Sequence, residues 1–146
     1  EILARYRRTT NSSTTTSEVG VIRVDGMVLK AGQSIRVKTS SLWFTSATGD
    51  EVRAYVRYNT AGNATTSSTI MPDACCGITI GNISYDETKK IDALFVVPSD
   101  ATYSLLLTLA RPAGAGAAGI LAGSEKVIDL IVESVGMDPG SSGTSI

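Results

Sequence analysis

The stretch Val52-Arg53-Ala54-Tyr55-Val56-Arg57-Tyr58 alternates smaller apolar side chains with large polar or amphipathic ones without a break. A strand turns successive side chains to opposite faces, so this spacing predicts one face of Val52, Ala54, Val56 and Tyr58 and another of Arg53, Tyr55 and Arg57. The same period of two recurs in Ser34-Ile35-Arg36-Val37-Lys38-Thr39, and β-branched residues fill Val19-Gly20-Val21-Ile22-Arg23-Val24. Asp25-Gly26 ends that run with a dipeptide suited to a two-residue hairpin turn, so Met27 to Lys30 is expected to pair back against it. Leu42-Trp43-Phe44 and Gly77-Ile78-Thr79-Ile80 predict short strands, and Ile91 to Val97 predicts one that stops at Pro98. Tyr103 to Ala110 is the most apolar run and is expected at the centre of a sheet. Lys126 to Val135 has apolar spacing open to helix or strand, and its β-branched residues and the stop at Gly136 decide for strand. About eight strands and no segment that reads as helix predict an all-β fold, an antiparallel sandwich of jelly-roll or immunoglobulin-like type.

Outward from that body the pattern changes. Residues 1–18 pair a short basic head with a Ser/Thr run that has little to bury, and read as an extended N-terminal arm. Residues 19–136 form the sandwich, and 137–146 a C-terminal tail with too little apolar content to join it. The polar segment Asn59 to Thr69 is a long loop, expected to be mobile at its tip and suited to a binding or assembly contact. With 146 residues, one core is expected.

The composition removes whole classes of chemistry. The chain has no His, which excludes Ser-His-Asp, Cys-His and zincin sites. Thirteen Lys and Arg against fourteen Asp and Glu give a net charge of −1, so no whole-surface attraction draws nucleic acid or an anionic membrane. Cys75 and Cys76 are adjacent, so their side chains diverge along an extended backbone; they read as reduced thiols, one of them packed inside, in keeping with a reducing cytoplasm. Gly114-Ala115-Gly116-Ala117-Ala118-Gly119 has dinucleotide-fingerprint spacing, but no βαβ unit surrounds it, so it reads as an inter-strand connection. Asp50-Glu51 and Asp86-Glu87 fall in expected turns, where neighbouring carboxylates are solvated and splayed. No calcium loop, serine elbow or Ser-x-x-Lys motif occurs, so the expectation is no enzyme, no metal and no cofactor.

What remains is contact chemistry. Ile2 and Leu3 offer an apolar anchor beside Arg5, Tyr6, Arg7 and Arg8, whose guanidiniums suit bidentate pairing with surface carboxylates of a large protein assembly. Arg53, Tyr55 and Arg57 form a second candidate, because Tyr and Arg are enriched at binding hot spots. Trp43 reads first as a core residue, although with Tyr55 and Tyr58 it is also a candidate for stacking on sugar rings.

Taken together, Arg8-Thr9-Thr10, the run from Thr14 through Val19-Gly20-Val21-Ile22-Arg23-Val24-Asp25, Ala31-Gly32-Gln33, Thr39-Ser40-Ser41-Leu42 and Asp138-Pro139-Gly140 resemble small virion proteins of tailed bacteriophages, especially those of actinobacteria. The resemblance implies a capsid decoration or cement protein on the outer shell, bound to the major capsid protein, commonly as a homotrimer, and assembled in the host cytoplasm. It carries no residue-level binding site. The alternative is a tail, fibre or carbohydrate-recognition module.

Overall fold

The computed structural model describes residues 1–81 and 87–138. The fold is all-β, and no helix occurs among the described residues. Eight strands build two four-stranded antiparallel sheets. The first contains β1 (Ile2–Arg8), β3 (Gln33–Thr39), β8 (Asp92–Val96) and β11 (Ile128–Met137) in the order β1-β11-β3-β8. The second contains β2 (Val19–Leu29), β5 (Glu51–Asn59), β6 (Thr69–Thr79) and β9 (Ala101–Ala113) in the order β2-β9-β5-β6. A small third sheet sets β4 (Leu42–Thr45) between β10 (Gly119–Leu121) and β7 (Glu87–Lys89).

Strand order defines the class of sandwich. Among the eight main strands the first pairs with the last (β1 with β11), the second with the seventh (β2 with β9), the third with the sixth (β3 with β8) and the fourth with the fifth (β5 with β6). This is one long hairpin rolled up on itself, the jelly roll, and its apex is the connection between β5 and β6. Its core lies between the sheets. Ile35, Val37, Leu130 and Val132 from one sheet meet Val52, Val56, Leu105, Leu107 and Leu109 from the other, all with no exposure. Each such side chain contributes about 1.5–3 kcal/mol relative to leaving it in water. Leu42, Phe44 and Ile120 of the third sheet join the same core.

Several expectations are corrected in detail. Val19 to Leu29 is a single strand, not a hairpin. Both halves pair with the thirteen-residue β9, and Asp25-Gly26 forms a bulge in that ladder, where the register shifts between Val24 and Met27. Gly26 sits at φ 76°, the positive region that makes Asp-Gly look like a hairpin turn and serves a bulge equally well. Strand β6 begins at Thr69, well before Gly77, because β5 offers a long partner. Met71 to Ala74 bulge out of its ladder between the pairs Arg57–Ile70 and Tyr55–Cys75, which gives Pro72 a place on an edge strand. The loop before β6 is folded down onto the body. Ala64 is buried and its N–H donates to Ser104 Oγ at 2.8 Å, while Ser104 donates to Asp25 at 2.5 Å, tying the loop to the bulge in β2.

The basic head is a strand of the first sheet, not a segment lying outside it. Arg8 pairs with Ile128 and Ala4 with Val132, and Leu3 and Ala4 pack against the core. The Ser/Thr run behind it is stitched to the β10 region. Ser12 and Ile120 exchange bonds, Thr15 and Ala118 pair, and Asn11 accepts from the Ala122 N–H. A polar segment with no apolar side chains to bury still orders here because it completes a row of backbone hydrogen bonds. Strand β11 runs on to Met137; residues 139–146 of the expected tail, and Asn82 to Asp86, lie outside the described residues.

Candidate interaction surface

Asp129 organises the outer face of the first sheet. Its residue is only 6% exposed, and Arg7 grips it with Nε and Nη2 at 3.0 Å each, while Arg5 Nη2 stands at 3.5 Å. Arg5 and Arg7 reach it because they sit two residues apart on one face of β1, Arg7 directly opposite Asp129. The Arg7 hydrogen bonds outweigh the opposing effect of burial and hold the Asp129 carboxyl below the usual range. Arg8, on the alternate face, spends its guanidinium on the carbonyls of Thr10, Asn11 and Val21. The arginines expected to reach for a partner's carboxylates are thus engaged within the chain. Along the strand, Ile2 and Tyr6 remain more than half exposed.

The second candidate stripe is engaged in the same way. Arg57 holds Glu18 through two nitrogens at 2.5 and 2.9 Å and donates to the Ser68 carbonyl at 2.6 Å. Its guanidinium carbon also lies 5.8 Å from the centre of the Tyr55 ring. Arg53 pairs with Glu51 on its own strand. As the alternation requires, Arg53, Tyr55 and Arg57 share the outer face of β5 while Val52, Ala54 and Val56 are wholly buried. The aromatics do not form an open platform. Lys126 Nζ caps the Trp43 ring at 4.5 Å, and Tyr58 packs on Phe95 and Tyr103 with ring centres 5.1 and 6.0 Å apart.

The glycine-rich segment has a use that its spacing suggests only by analogy. Ala115 and Gly116 turn their N–H groups onto Asp50, each at 3.0 Å, and Ser46 donates at 2.6 Å. Backbone amides aimed at one anion are how glycine loops hold phosphate; here the anion is the chain's own carboxylate. A Cβ on Gly114, at φ 124°, would fall 1.9 Å from Asp50 Oδ1, so that position demands glycine. The Ser46 hydroxyl, followed by the amides, keeps the Asp50 carboxyl below its ordinary range against the effect of burial. The expectation of a solvated, splayed carboxylate is corrected for Asp50, which is 3% exposed; Asp86 lies outside the described residues.

Both cysteines are free. Cys75 is exposed at the edge of the second sheet, and Cys76 is half-buried, its thiol pushed up to about 11 by burial. No group of three or more His, Cys, Asp or Glu side chains placed to hold a metal ion occurs among the described residues.

An apolar patch escaped the sequence reading. Leu94 and Val96 on β8 are 66% and 46% exposed, and Val135 on β11 is 52% exposed. Leu94 and Val135 line one hollow, with Ser34 and Arg36 of β3 set between the two strands by the register. The readable signal was Asp92-Ala93-Leu94-Phe95-Val96, apolar on both faces although it carries the edge of a sheet.

No protein-family model and no curated protein matches the chain.

Proposed function

We propose that the chain is a non-catalytic structural protein of a phage virion, which decorates and reinforces a shell by binding the repeating surface of the major capsid protein. The observation that carries this reading is the rolled-hairpin strand order, an architecture used by viral capsid domains and by lectins. Fold alone is an analogy, and the sequence resemblance to small virion proteins is what favours the capsid over the lectin use. The engagement of Trp43, Tyr55 and Tyr58 by neighbouring side chains counts against sugar stacking. On this reading the shell meets the β1 edge of the first sheet, where the outer side of the strand has no neighbour in that sheet and Ile2 and Tyr6 stand exposed. A partner segment added there gains main-chain hydrogen bonds, and repetition over a symmetric lattice raises a weak single contact to firm attachment.

The test is co-sedimentation with shells assembled from the phage's major capsid protein. Wild type is expected to pellet with the shells, and the double variant Ile2→Ser, Tyr6→Ser, whose side chains contribute little to the core, is expected to remain in solution while folded. Equal binding by both proteins removes β1 from the contact. Failure of the wild type to bind any shell, alongside binding to a glycan array lost in Trp43→Ala, replaces the decoration reading with recognition of sugars.

A further inference from the structure

We propose that the outer face of the first sheet at its β8 end is a self-contact, seating a second copy of the chain across a two-fold axis. The inference rests on the reading of a protein that works by protein contact, but it concerns the opposite edge of the sheet from β1 and a different partner.

Natural edge strands are protected by charge, by lysine or by proline on their exposed positions. Strand β8 instead shows Leu94 and Val96 to solvent, and its one acidic residue is consumed. Asp92 takes Arg36 Nε at 2.7 Å and Nη2 at 2.6 Å. Strand β3 lies between β8 and β11, with Arg36 opposite Leu94 and Ser34 opposite Val96, so Val135 and, at the end of β11, the 66% exposed Met137 stand across that strand from the β8 pair. Exposed apolar side chains gathered around a hollow mark a place where something binds. Leu94 and Val135 line an open hollow of about 650 Å³ together with Arg36, Ala93, Asp92 and Asp73.

Charge selects the occupant. Arg36 commits two of its five N–H donors to Asp92, leaving others for an incoming carboxylate. Asp73, exposed on the bulge of β6 at φ 61°, has no charged partner among the described residues. The hollow therefore displays a guanidinium with spare donors and a carboxylate with no charged partner among the described residues, beside Leu94 and Val135. A partner of one charge sign satisfies only one of them. A second copy satisfies both, because across a two-fold axis Asp73 of each protomer meets Arg36 of the other while the Leu94 and Val135 side chains pack together. Three aliphatic side chains and one methionine supply only part of the roughly 800 Å² that each partner buries in a standard interface. The dimer is accordingly expected at micromolar protein or above.

Sedimentation velocity of the full chain over a range of concentrations tests this. The expected result is a shift with concentration from the 15.2 kDa protomer to twice that mass. Leu94→Asp is expected to abolish the shift with an unchanged circular dichroism spectrum, since the side chain lies in water. Asp73→Asn keeps a residue tolerant of positive φ and is expected to weaken association about tenfold, roughly one unit of 1.4 kcal/mol. Val28→Asp, on the second sheet at 72% exposure, is expected to dimerise like wild type. A wild type that stays monomeric at millimolar protein, a trimer mass, or undiminished association in Leu94→Asp each overturns the two-fold contact. None of these outcomes depends on shells, so a dimer that fails to bind them refutes the decoration reading alone.

Discussion

Replacing Asp129 with alanine releases the clamp that joins the basic head to the sandwich. The carboxylate is 9% exposed, so its bonds to Arg7 form in a poorly hydrated place, but the two guanidinium-bearing side chains are 52% and 45% exposed. Hydrogen bonds to charged groups contribute about 1.5–3 kcal/mol when well shielded, and exposed ion pairs about 0.2–1 kcal/mol. With one partner sheltered and the other half in water, the loss should fall between, at about 1–2 kcal/mol. That corresponds to a melting temperature lower by about 2–8 °C for a chain of this size. If the clamp serves β1 in particular, amide protons of Ile2–Arg8 should exchange about 5–30-fold faster in Asp129→Ala. The pH dependence fixes the cause. Because the folded carboxyl titrates below its unfolded value of about 3.9, its stabilisation is complete above that value and is lost as pH falls through the folded one. The gap between wild type and variant should therefore close in acid. Identical stability at neutral pH, or a gap that persists undiminished in acid, refutes the reasoning.

Asp50→Ala leaves the Ala115 and Gly116 amides without their anion, and should lower the thermal midpoint at neutral pH. Since the Asp50 carboxyl is also held low, that difference too should shrink on acidification, and a pH-independent loss would point to packing instead. Leu107→Ala empties a fully buried site between the sheets and should cost about 2.7–5 kcal/mol in urea denaturation; a loss below about 1 kcal/mol would contradict the core assignment. A thiol-reactive chromogenic disulfide at mildly alkaline pH should modify Cys75 rapidly and Cys76 slowly, because the buried thiol is scarcely ionised there, and two equally fast thiols would contradict that burial.

Strand identity was legible wherever side chains alternate across a half-buried sheet. Arg53 to Arg57, Ile35 to Val37 and the apolar run of β9 needed only the period of two and residue type. Pairing was not legible, because it depends on partners distant in the chain. Asp25-Gly26 has the same local preference in a hairpin and in a bulge, and only the length of β9 decides between them. The Ser/Thr run gave no hydrophobic signal because backbone bonds to Ile120 and Ala118 order it. For the candidate surface, sequence singled out Arg5, Arg7, Arg53 and Arg57 by type but could not show that Asp129, Glu51 and Glu18 lie within their reach. It passed over Leu94 and Val96 because apolar residues in a strand read as core until the strand is found at an edge, and over Val135 because the register shift that exposes it on an inner strand has no signal in sequence.

Cryo-electron microscopy of shells incubated with the chain measures the proposed role directly. The expected map holds a rolled β-sandwich at regular positions on the outer surface, with the β1 edge against the capsid subunits. Shells that stay bare at saturating protein, or that carry the sandwich with β1 turned to solvent, contradict it.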